Sequence, residues 1–353
     1  MTLPDSYTQA LLLAILSMIC WGSWANTKKL TGEWRFELFC FDYAIGVALA
    51  MLVAALTFGS VGFDGLTFSD ELLIGSKRKM IYALGSGVVF NLANMLLVAA
   101  ISIAGMAVAF PVGIGLAFVI GVVLNYVINP QGNAGLLFSG ALLVTAAIVF
   151  CSLAYRELAR QRSLEAIASG KTRSTKVGSG TKGLLVSVIA GLLMGFFYPL
   201  VELAKAGETG IGPYTVAFLF GLGVLGSTLI FNVYFMNLPI EGEPIGLKGY
   251  FTAPKVYHVW AILGGIVWAI GGAANFVASS APQEVQVGPA ISYAVGQGAT
   301  MISAFWGVFV WREFAGAPGR AKILLTLMFL LFLGGLALVS IAPLYAASAT
   351  AAG

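Results

Sequence analysis

The side chains in this sequence that could do chemistry are mainly amides, hydroxyls and aromatic rings within long apolar stretches. Asn91 and Asn94 are three residues apart, and Tyr293 and Gln297 are four apart, so each pair would share one face of a helix. Polar groups are costly in hydrocarbon and usually face a cavity or another helix. The candidate substrate-binding residues are Trp24, Asn26, Asn91, Asn94, Tyr198, Asn275, Tyr293 and Gln297.

Two interpretations of these groups stay open. Amide donors and acceptors beside aromatic rings suit a neutral solute that is planar or polyhydroxylated. They suit a strongly charged solute poorly, because no cluster of Arg or Lys is expected at mid-membrane. Alternatively, the same side chains join helices, since Asn, Ser and Thr often hydrogen-bond between membrane helices.

The candidate residues for coupling or gating are Asp42, Glu202, Lys28 and Lys29. A salt bridge from either lysine to Asp42 could form an inner gate, and Glu202 with Lys205 could form an outer gate. A buried carboxylate could instead carry a coupling proton. Snorkelling of these chains to the interface is the alternative explanation.

Catalytic and metal chemistry are not indicated. The three cysteines are isolated, and His258 is the only histidine, which argues against zinc, iron–sulfur and disulfide sites. Gly170-Lys171-Thr172 is similar to the end of a phosphate-binding loop, but Glu165 stands where that motif needs glycine. We therefore predict no enzyme activity, no metal, no cofactor and no nucleic-acid partner.

Ten apolar stretches must position these groups. Hydrophobic residues make up 59% of the chain and charged residues 10%, against about 25% charged residues in soluble domains. Continuous runs of roughly 20 apolar residues indicate membrane helices rather than barrel strands. The predicted spans are Tyr7–Thr27, Glu37–Leu56, Lys79–Ile101, Met106–Ile128, Gly135–Tyr155, Gly183–Leu203, Gly212–Phe235, Val259–Ser279, Val287–Val310 and Ile323–Ala342.

An internal repeat organises these spans. The pattern VGxG occurs at Val112–Gly115 and again at Val295–Gly298, and Ala93-Asn94 recurs as Ala274-Asn275. Five helices per half make the second half enter from the opposite side, so the predicted repeat is inverted, as in many secondary transporters. The predicted units are a first repeat at residues 1–155, a basic linker at 156–182 and a second repeat at 183–353.

The distribution of basic residues predicts an orientation. Fifteen of the 19 Lys and Arg residues lie in odd-numbered loops, which places these loops in the cytoplasm and both termini outside. The first run has no basic residue before it, so we predict a retained helix rather than a signal peptide. A multi-pass protein of a bacterial inner (plasma) membrane is expected.

Several motifs carry a resemblance to known transporters. They are Gly195–Pro199, Gly288–Gly298 and Trp306–Phe314. On these segments the chain resembles the drug/metabolite transporter superfamily, and within it the ureide permeases and the related glucose/ribose and rhamnose–proton porters. The resemblance implies ten helices and transport, with protons as the coupling ion.

The expected function is secondary active transport by rocking of the two halves around a midplane site. The lead expectation is proton symport of a small uncharged ureide or nucleobase, such as allantoin or uracil. The alternative is a monosaccharide–proton symporter. A cation exporter usually carries a buried Glu in its first helix, and the first span has none. The expected partners are a small-molecule substrate and the lipid bilayer, and a homo-oligomer stays open.

Overall fold

The computed structural model describes residues 1–104, 109–168, 180–239, 243–282 and 287–345, and all regular structure in these ranges is helical. The helices are α1 Tyr7–Ser23, α2 Ala25–Leu30, α3 Phe36–Leu56, α4 Phe68–Ile74, α5 Lys77–Ala104, α6 Gly115–Ile128, α7 Ala134–Ala168, α8 Gly180–Lys205, α9 Pro213–Asn237, α10 Lys248–Phe251, α11 Lys255–Ala278, α12 Pro289–Gln297, α13 Ala299–Phe305 and α14 Gly319–Ile341. Single π-helical turns lie at Phe110–Ile114 and Trp306–Val310, and a 3₁₀ turn at Ala342–Tyr345.

Nine helices within these ranges are long and apolar enough to cross a membrane. The predicted span Met106–Ile128 differs from the other nine. Its described part is a shorter apolar helix at Val112–Ile128, and residues 106–108 lie outside the described residues. The all-helical membrane architecture is therefore confirmed, while a tenth span stays a prediction.

Two spans are irregular. Between α1 and α2, the amide of Thr27 donates to the carbonyl oxygen of Trp24. Between α12 and α13, the amide of Gly298 donates to the carbonyl oxygen of Val295. The span containing α12 and α13 then ends in the π-helical turn Trp306–Val310. Irregular backbone at membrane depth is tolerated where protein or a cavity surrounds it.

The first part of the predicted linker is helical. α7 continues past the predicted end of its span, Tyr155, as far as Ala168. Residues 156–168 consist mainly of Ala, Leu, Arg, Glu and Gln, which are strong helix formers. Residues 169–179 lie outside the described residues.

The spans pack as two bundles. In the first bundle α11 packs against α1 and α3, and α1 packs against α12 and α13. In the second bundle α5 packs against α8 and α9, and α8 packs against α6. Each contact in one bundle thus has a counterpart in the other. The bundles meet where α3 contacts α9 and α6 contacts α12, and α7 pairs with α14.

Small residues let equivalent helix pairs approach closely. A Cβ added to Gly46 of α3 would lie 2.2 Å from the carbonyl oxygen of Ile262 on α11. A Cβ added to Gly223 of α9 would lie 2.1 Å from the carbonyl oxygen of Leu84 on α5. Small residues at membrane-helix interfaces permit such contact. In both the α3–α11 and the α9–α5 contact, a glycine therefore lets the two helix backbones approach closely.

Candidate functional site

A cavity of about 430 Å³ lies between the two bundles. Its volume falls in the range of small-molecule sites, roughly 300–1,000 Å³. Aromatic rings form much of its wall, including Trp21, Phe90, Phe197 and Trp268. The rings of Phe90 and Trp268 are 4.4 Å apart between centroids and join the bundles beside the cavity.

Half of the candidate residues line this cavity: Trp24, Asn26, Lys28, Lys29, Asn94 and Gln297. Within the described ranges, the side-chain amides of Asn94 and Gln297 form no hydrogen bond. The indole N–H of Trp21 is also buried without a described partner. Buried polar groups normally have partners, so the unpaired amides of Asn94 and Gln297 on the cavity wall are available to a solute, whereas the Trp21 N–H is enclosed by protein.

Asn26 holds the cavity wall in place. Its amide Nδ2 donates to the Ser23 carbonyl oxygen at 2.8 Å, and its Oδ1 accepts from the Trp311 indole at 2.6 Å. The bond to Trp311 joins α2 to the segment after α13, and both residues line the cavity. Asn26 therefore acts on the shape of the cavity through Trp311.

Two predicted lining residues lie outside the cavity and join helices instead. Asn91 Nδ2 donates to Ser227 Oγ at 2.9 Å and to Thr228 Oγ1 at 3.0 Å, which connects α5 to α9. Asn275 Nδ2 donates to Ser17 Oγ at 2.9 Å and to the Ser292 carbonyl oxygen at 3.0 Å. Both amides are buried in helix contacts rather than placed on the cavity wall.

Tyr198 and Tyr293 lie behind the cavity rather than on its surface. Both side chains are fully buried, and their ring centroids are 5.1 Å apart. The Tyr293 hydroxyl donates to the carbonyl oxygen of Ala117 at 3.1 Å, which links α12 to α6. The Tyr198 hydroxyl donates to Ser279 Oγ at 3.1 Å, which links α8 to the C-terminal end of α11. Both bonds therefore cross between the bundles.

Asp42 has partners other than the lysines expected for an inner gate. Its Oδ1 accepts from the Tyr250 hydroxyl at 2.6 Å, and its Oδ2 lies 2.6 Å from Nδ1 of His258. Burial, and then the hydrogen bond to Asp42, raise the pKa of Tyr250. Lys28 donates to the carbonyl oxygen of Gly32. In place of the predicted Lys–Asp42 bridge, Asp42 contacts Tyr250 of α10 and His258 of α11.

Glu202 and Lys205 form a pair, as expected for the outer gate. Glu202 Oε1 and Lys205 Nζ are 2.7 Å apart, and their side chains are 6% and 8% exposed. Lys205 donates to Ser279 Oγ at 2.5 Å and to Ser280 Oγ at 3.1 Å, and Ser279 donates to Glu202 Oε1 at 3.0 Å. We call these four residues the seal. The seal connects α8 of the second bundle with the end of α11 of the first.

Sequence reasoning missed the charged group that Lys29 contacts. Lys29 forms an ion pair with Glu313, and Glu313 Oε2 also accepts from the Tyr155 hydroxyl at 3.0 Å. All three residues line the cavity. A signal was present: Glu313 is the first acidic residue after the ninth predicted span, on the same membrane side as Lys29.

Two further observations concern charged side chains and metal binding. A second cavity of about 290 Å³ shares Lys28 with the first and includes Glu33, Arg35 and Glu37. The hydrogen bond to Glu37 raises the pKa of Arg35. Throughout the described ranges, no group of three or more His, Cys, Asp or Glu residues could hold a metal ion.

Comparison with known proteins extends over nearly the whole chain. Residues 39–182 and 162–342 match the family model described as Ureide permease. Ureide permease 1 of Arabidopsis thaliana is 25% identical over 99% of each chain. Ureide permease 2 of the same plant is 26% identical over 93% of this chain and 95% of its own. Transmembrane protein 144 homolog B of Dictyostelium discoideum is 25% identical over 42% of this chain and 38% of its own.

A solved crystal structure shares the fold. It covers 94% of this chain and 98% of its own, with a TM-score of 0.57 at 18% identity. The permease relatives and the apolar helices together make the chain a multi-pass integral membrane protein. The prediction that it is not an enzyme is confirmed, because the relatives are named permeases. On the match of its two halves, the chain belongs to the ureide permease family.

Proposed function

We propose that this protein is a secondary active transporter that carries a neutral, planar ureide or nucleobase across the membrane. The observation that carries the proposal is the pair of unpartnered amides, Asn94 and Gln297, in an aromatic cavity. A primary carboxamide offers an N–H beside a C=O, which matches the H–N–C=O edge of hydantoins and pyrimidines. The relatives named ureide permeases support the same class of substrate.

The aromatic wall favours flat solutes. Trp21 stacks on Trp268 with ring centroids 5.7 Å apart, and both rings face the cavity. Contact between aromatic rings contributes about 0.5–1.5 kcal/mol beyond the area buried. A solute that offers Asn94 and Gln297 neither a donor nor an acceptor would leave them unpaired, at about 1–3 kcal/mol for each group. Ring contact would give affinity, and the amides would give specificity.

The transport cycle we propose is rocking of the two bundles, each of which combines helices from both predicted inverted repeats. Its support is that each helix contact in one bundle has a counterpart in the other. The close contacts made by glycines repeat in the same way. A Cβ added to Gly22 of α1 would lie 2.4 Å from Cβ of Ile302 on α13. A Cβ added to Gly195 of α8 would lie 2.8 Å from Cβ of Ile120 on α6. Two units of equal construction can exchange conformations and open alternately to each side.

The seal is the proposed gate on the even-loop side. Its bonds run between the bundles, so relative rotation of the bundles would break them. Glu202 and Lys205 are on one helix and would move together. Opening would therefore expose an ion pair without net charge rather than a single unpaired charge. By contrast, Lys29 and Glu313 both belong to the first bundle. The cavity at their end is therefore proposed to be the open, odd-loop side.

Proton coupling is proposed at Glu202. A proton on this carboxyl would weaken its pairing with Lys205 and with Ser279, which are contacts of the seal. Asp42 with His258 is the second candidate, although both lie within the first bundle. Neither a metal nor a cofactor is part of this proposal.

The experiment is uptake into proteoliposomes under an imposed pH gradient. We expect accumulation of radiolabelled allantoin or uracil that disappears when the gradient is collapsed and that an Asn94→Leu variant loses. Accumulation unaffected by the collapse would refute proton coupling. Preferential accumulation of glucose or rhamnose would instead favour the monosaccharide alternative.

The proposed orientation has the odd loops in the cytoplasm and both termini outside. Arg160 is on the odd-loop side, and Glu208 is on the even-loop side. With the native cysteines removed, an impermeant maleimide should label Glu208→Cys in intact cells. It should label Arg160→Cys only after permeabilisation, and the reverse pattern would invert the orientation. The bacterial inner membrane stays a prediction, as the relatives named above come from a plant and from Dictyostelium.

A further inference from the structure

The backbone around Glu313 folds back on itself. After the π-helical turn Trp306–Val310, Arg312 takes a left-handed conformation with φ of 51°, which is uncommon for a residue with a side chain. The Glu313 amide then donates to the carbonyl oxygen of Gly307 at 2.9 Å. A Cβ added to Gly307 would lie 2.9 Å from Glu313 Oε2. This path brings the carboxylate of a loop residue to the cavity.

The ion pair of Lys29 and Glu313 has unused hydrogen-bonding capacity. An ionised carboxylate accepts at about four positions, and an ammonium group donates three hydrogen bonds. Among the residues that the structure describes, the Glu313 side chain bonds Lys29 and Tyr155 only, and Lys29 donates to Glu313 only. The side chain of Lys29 is 44% exposed and that of Glu313 is 26% exposed. The remaining donors and acceptors are therefore accessible at the cavity mouth.

A fixed aromatic ring lies beside this pair. The ammonium of Lys29 is 4.9 Å from the ring centroid of Trp311. The indole of Trp311 is itself held by Asn26. A flat solute could thus contact the Trp311 ring while its edge meets the pair.

We propose that Lys29 and Glu313 are specificity-determining residues that recognise an amide edge of the substrate at the cavity mouth. Glu313 would accept an N–H of the solute, and Lys29 would donate to the adjacent carbonyl oxygen. The inference rests on the proposed function, in which Asn94 and Gln297 recognise an amide edge deeper in the cavity. A solute with two amide edges would satisfy both points, and this requirement distinguishes ureide rings from sugars.

Binding of three related probes tests the proposal. The probes are hydantoin, 1-methylhydantoin and 3-methylhydantoin, each of the methylated forms lacking one N–H donor. Affinities are measured by titration calorimetry with the purified full chain in detergent. The wild type should bind both methylated forms about tenfold or more weakly, because each leaves a charged or buried acceptor unpaired.

The informative variant removes both charges at once. Replacing both partners of an ion pair by apolar residues is often neutral for stability, whereas removing one leaves an unpaired charge. In the double variant Lys29→Met, Glu313→Met, the discrimination against one methylated form should disappear while that against the other remains. Asn94→Leu should show the converse. The matched control is Glu157→Met, Arg160→Met, which removes an ion pair of α7 outside the cavity and should keep both discriminations.

The outcomes separate this inference from the proposed function. If the wild type binds none of the probes, the proposed ureide function fails, and this inference fails with it. If the double variant lowers the affinity for all three probes equally, the pair only holds protein segments together and the inference is overturned. If the double variant does not fold, Lys29→Ala with Glu313→Ala replaces it, because neither alanine side chain can hydrogen-bond a solute, and the same two results decide.

Discussion

Asn91 and Asn94 lie one helical turn apart on α5 and have different surroundings. Asn91 donates to Ser227 and Thr228 on α9, whereas the amide of Asn94 faces the cavity between the bundles. One asparagine therefore joins helices, and the other is available to a solute. The two interpretations left open by the sequence apply to one residue each.

This contrast gives the first prediction. Asn94→Leu should weaken hydantoin binding about tenfold or more, because an unpaired amide is lost from the cavity, and should leave the unfolding temperature in detergent near that of the wild type. Asn91→Leu is the matched control, with near-normal affinity but a stability loss of about 1 kcal/mol for the interhelical bonds. Equal effects of both substitutions on affinity would contradict this division of roles.

The seal leads to the second prediction. Ser279 accepts from Lys205 and Tyr198 and donates to Glu202, so Ser279→Ala removes contacts from both partners of the ion pair. Amide hydrogen exchange should become faster in residues 198–206 and at the end of α11. Ser187→Ala is the control, since within the described part of the chain the Ser187 hydroxyl bonds only the Gly183 carbonyl of its own helix. Unchanged exchange in Ser279→Ala would show that these bonds do not hold this side closed.

Two glycines of α9 supply the third prediction. Gly223→Ala should destabilise the protein, because the new Cβ would lie 2.1 Å from the Leu84 carbonyl oxygen and would force α9 away from α5. No atom of the described residues lies within 4 Å of a Cβ added at Gly226, so Gly226→Ala should stabilise the helix by about 0.5–1 kcal/mol. Unfolding temperatures of the two variants in detergent check this opposition, and a loss of equal size in both would refute it.

The fourth prediction concerns pH and Glu71 of α4, outside the membrane spans. Glu71 accepts from the amide of Gly212 at 2.7 Å and from the hydroxyl of Thr215, at the start of α9. Burial raises its pKa, and these two hydrogen bonds oppose the rise in part. The folded state therefore holds the proton more tightly than the unfolded state does.

The sign of the effect follows from that difference. The stabilisation is fully present below the unfolded pKa, about 4.3, and is lost as the pH rises through the raised folded pKa. Glu71→Gln cannot titrate. Wild-type stability relative to this variant should fall between about pH 4 and the raised pKa, as measured by thermal unfolding in detergent. A relative gain of the wild type with rising pH would contradict the assignment.

Local composition was sufficient for the architecture. Runs of apolar residues predict the nine helices in the described ranges that are long and apolar enough to cross a membrane, because a helix satisfies its own backbone and needs no information about its neighbours. The polarity of residues 156–168 predicts a linker, but α7 continues to Ala168 because these residues favour helix. Trp24, Asn94 and Gln297 were found because polar or amphipathic groups in hydrocarbon stand out by type alone.

The partner of each polar group depended on the tertiary structure. Lys29 meets Glu313 across 284 positions of sequence, and the left-handed turn at Arg312 that makes this contact leaves no signature in residue spacing. Likewise, spacing alone gave Asn91 and Asn94 the same helix face, and only the position of α9 gives Asn91 its partners. Sequence determined that this chain is a bundle of apolar helices with a few costly polar groups. Packing decided which of those groups are paired and which face the cavity, because hydrogen bonding is directional and depends on groups far away in the chain.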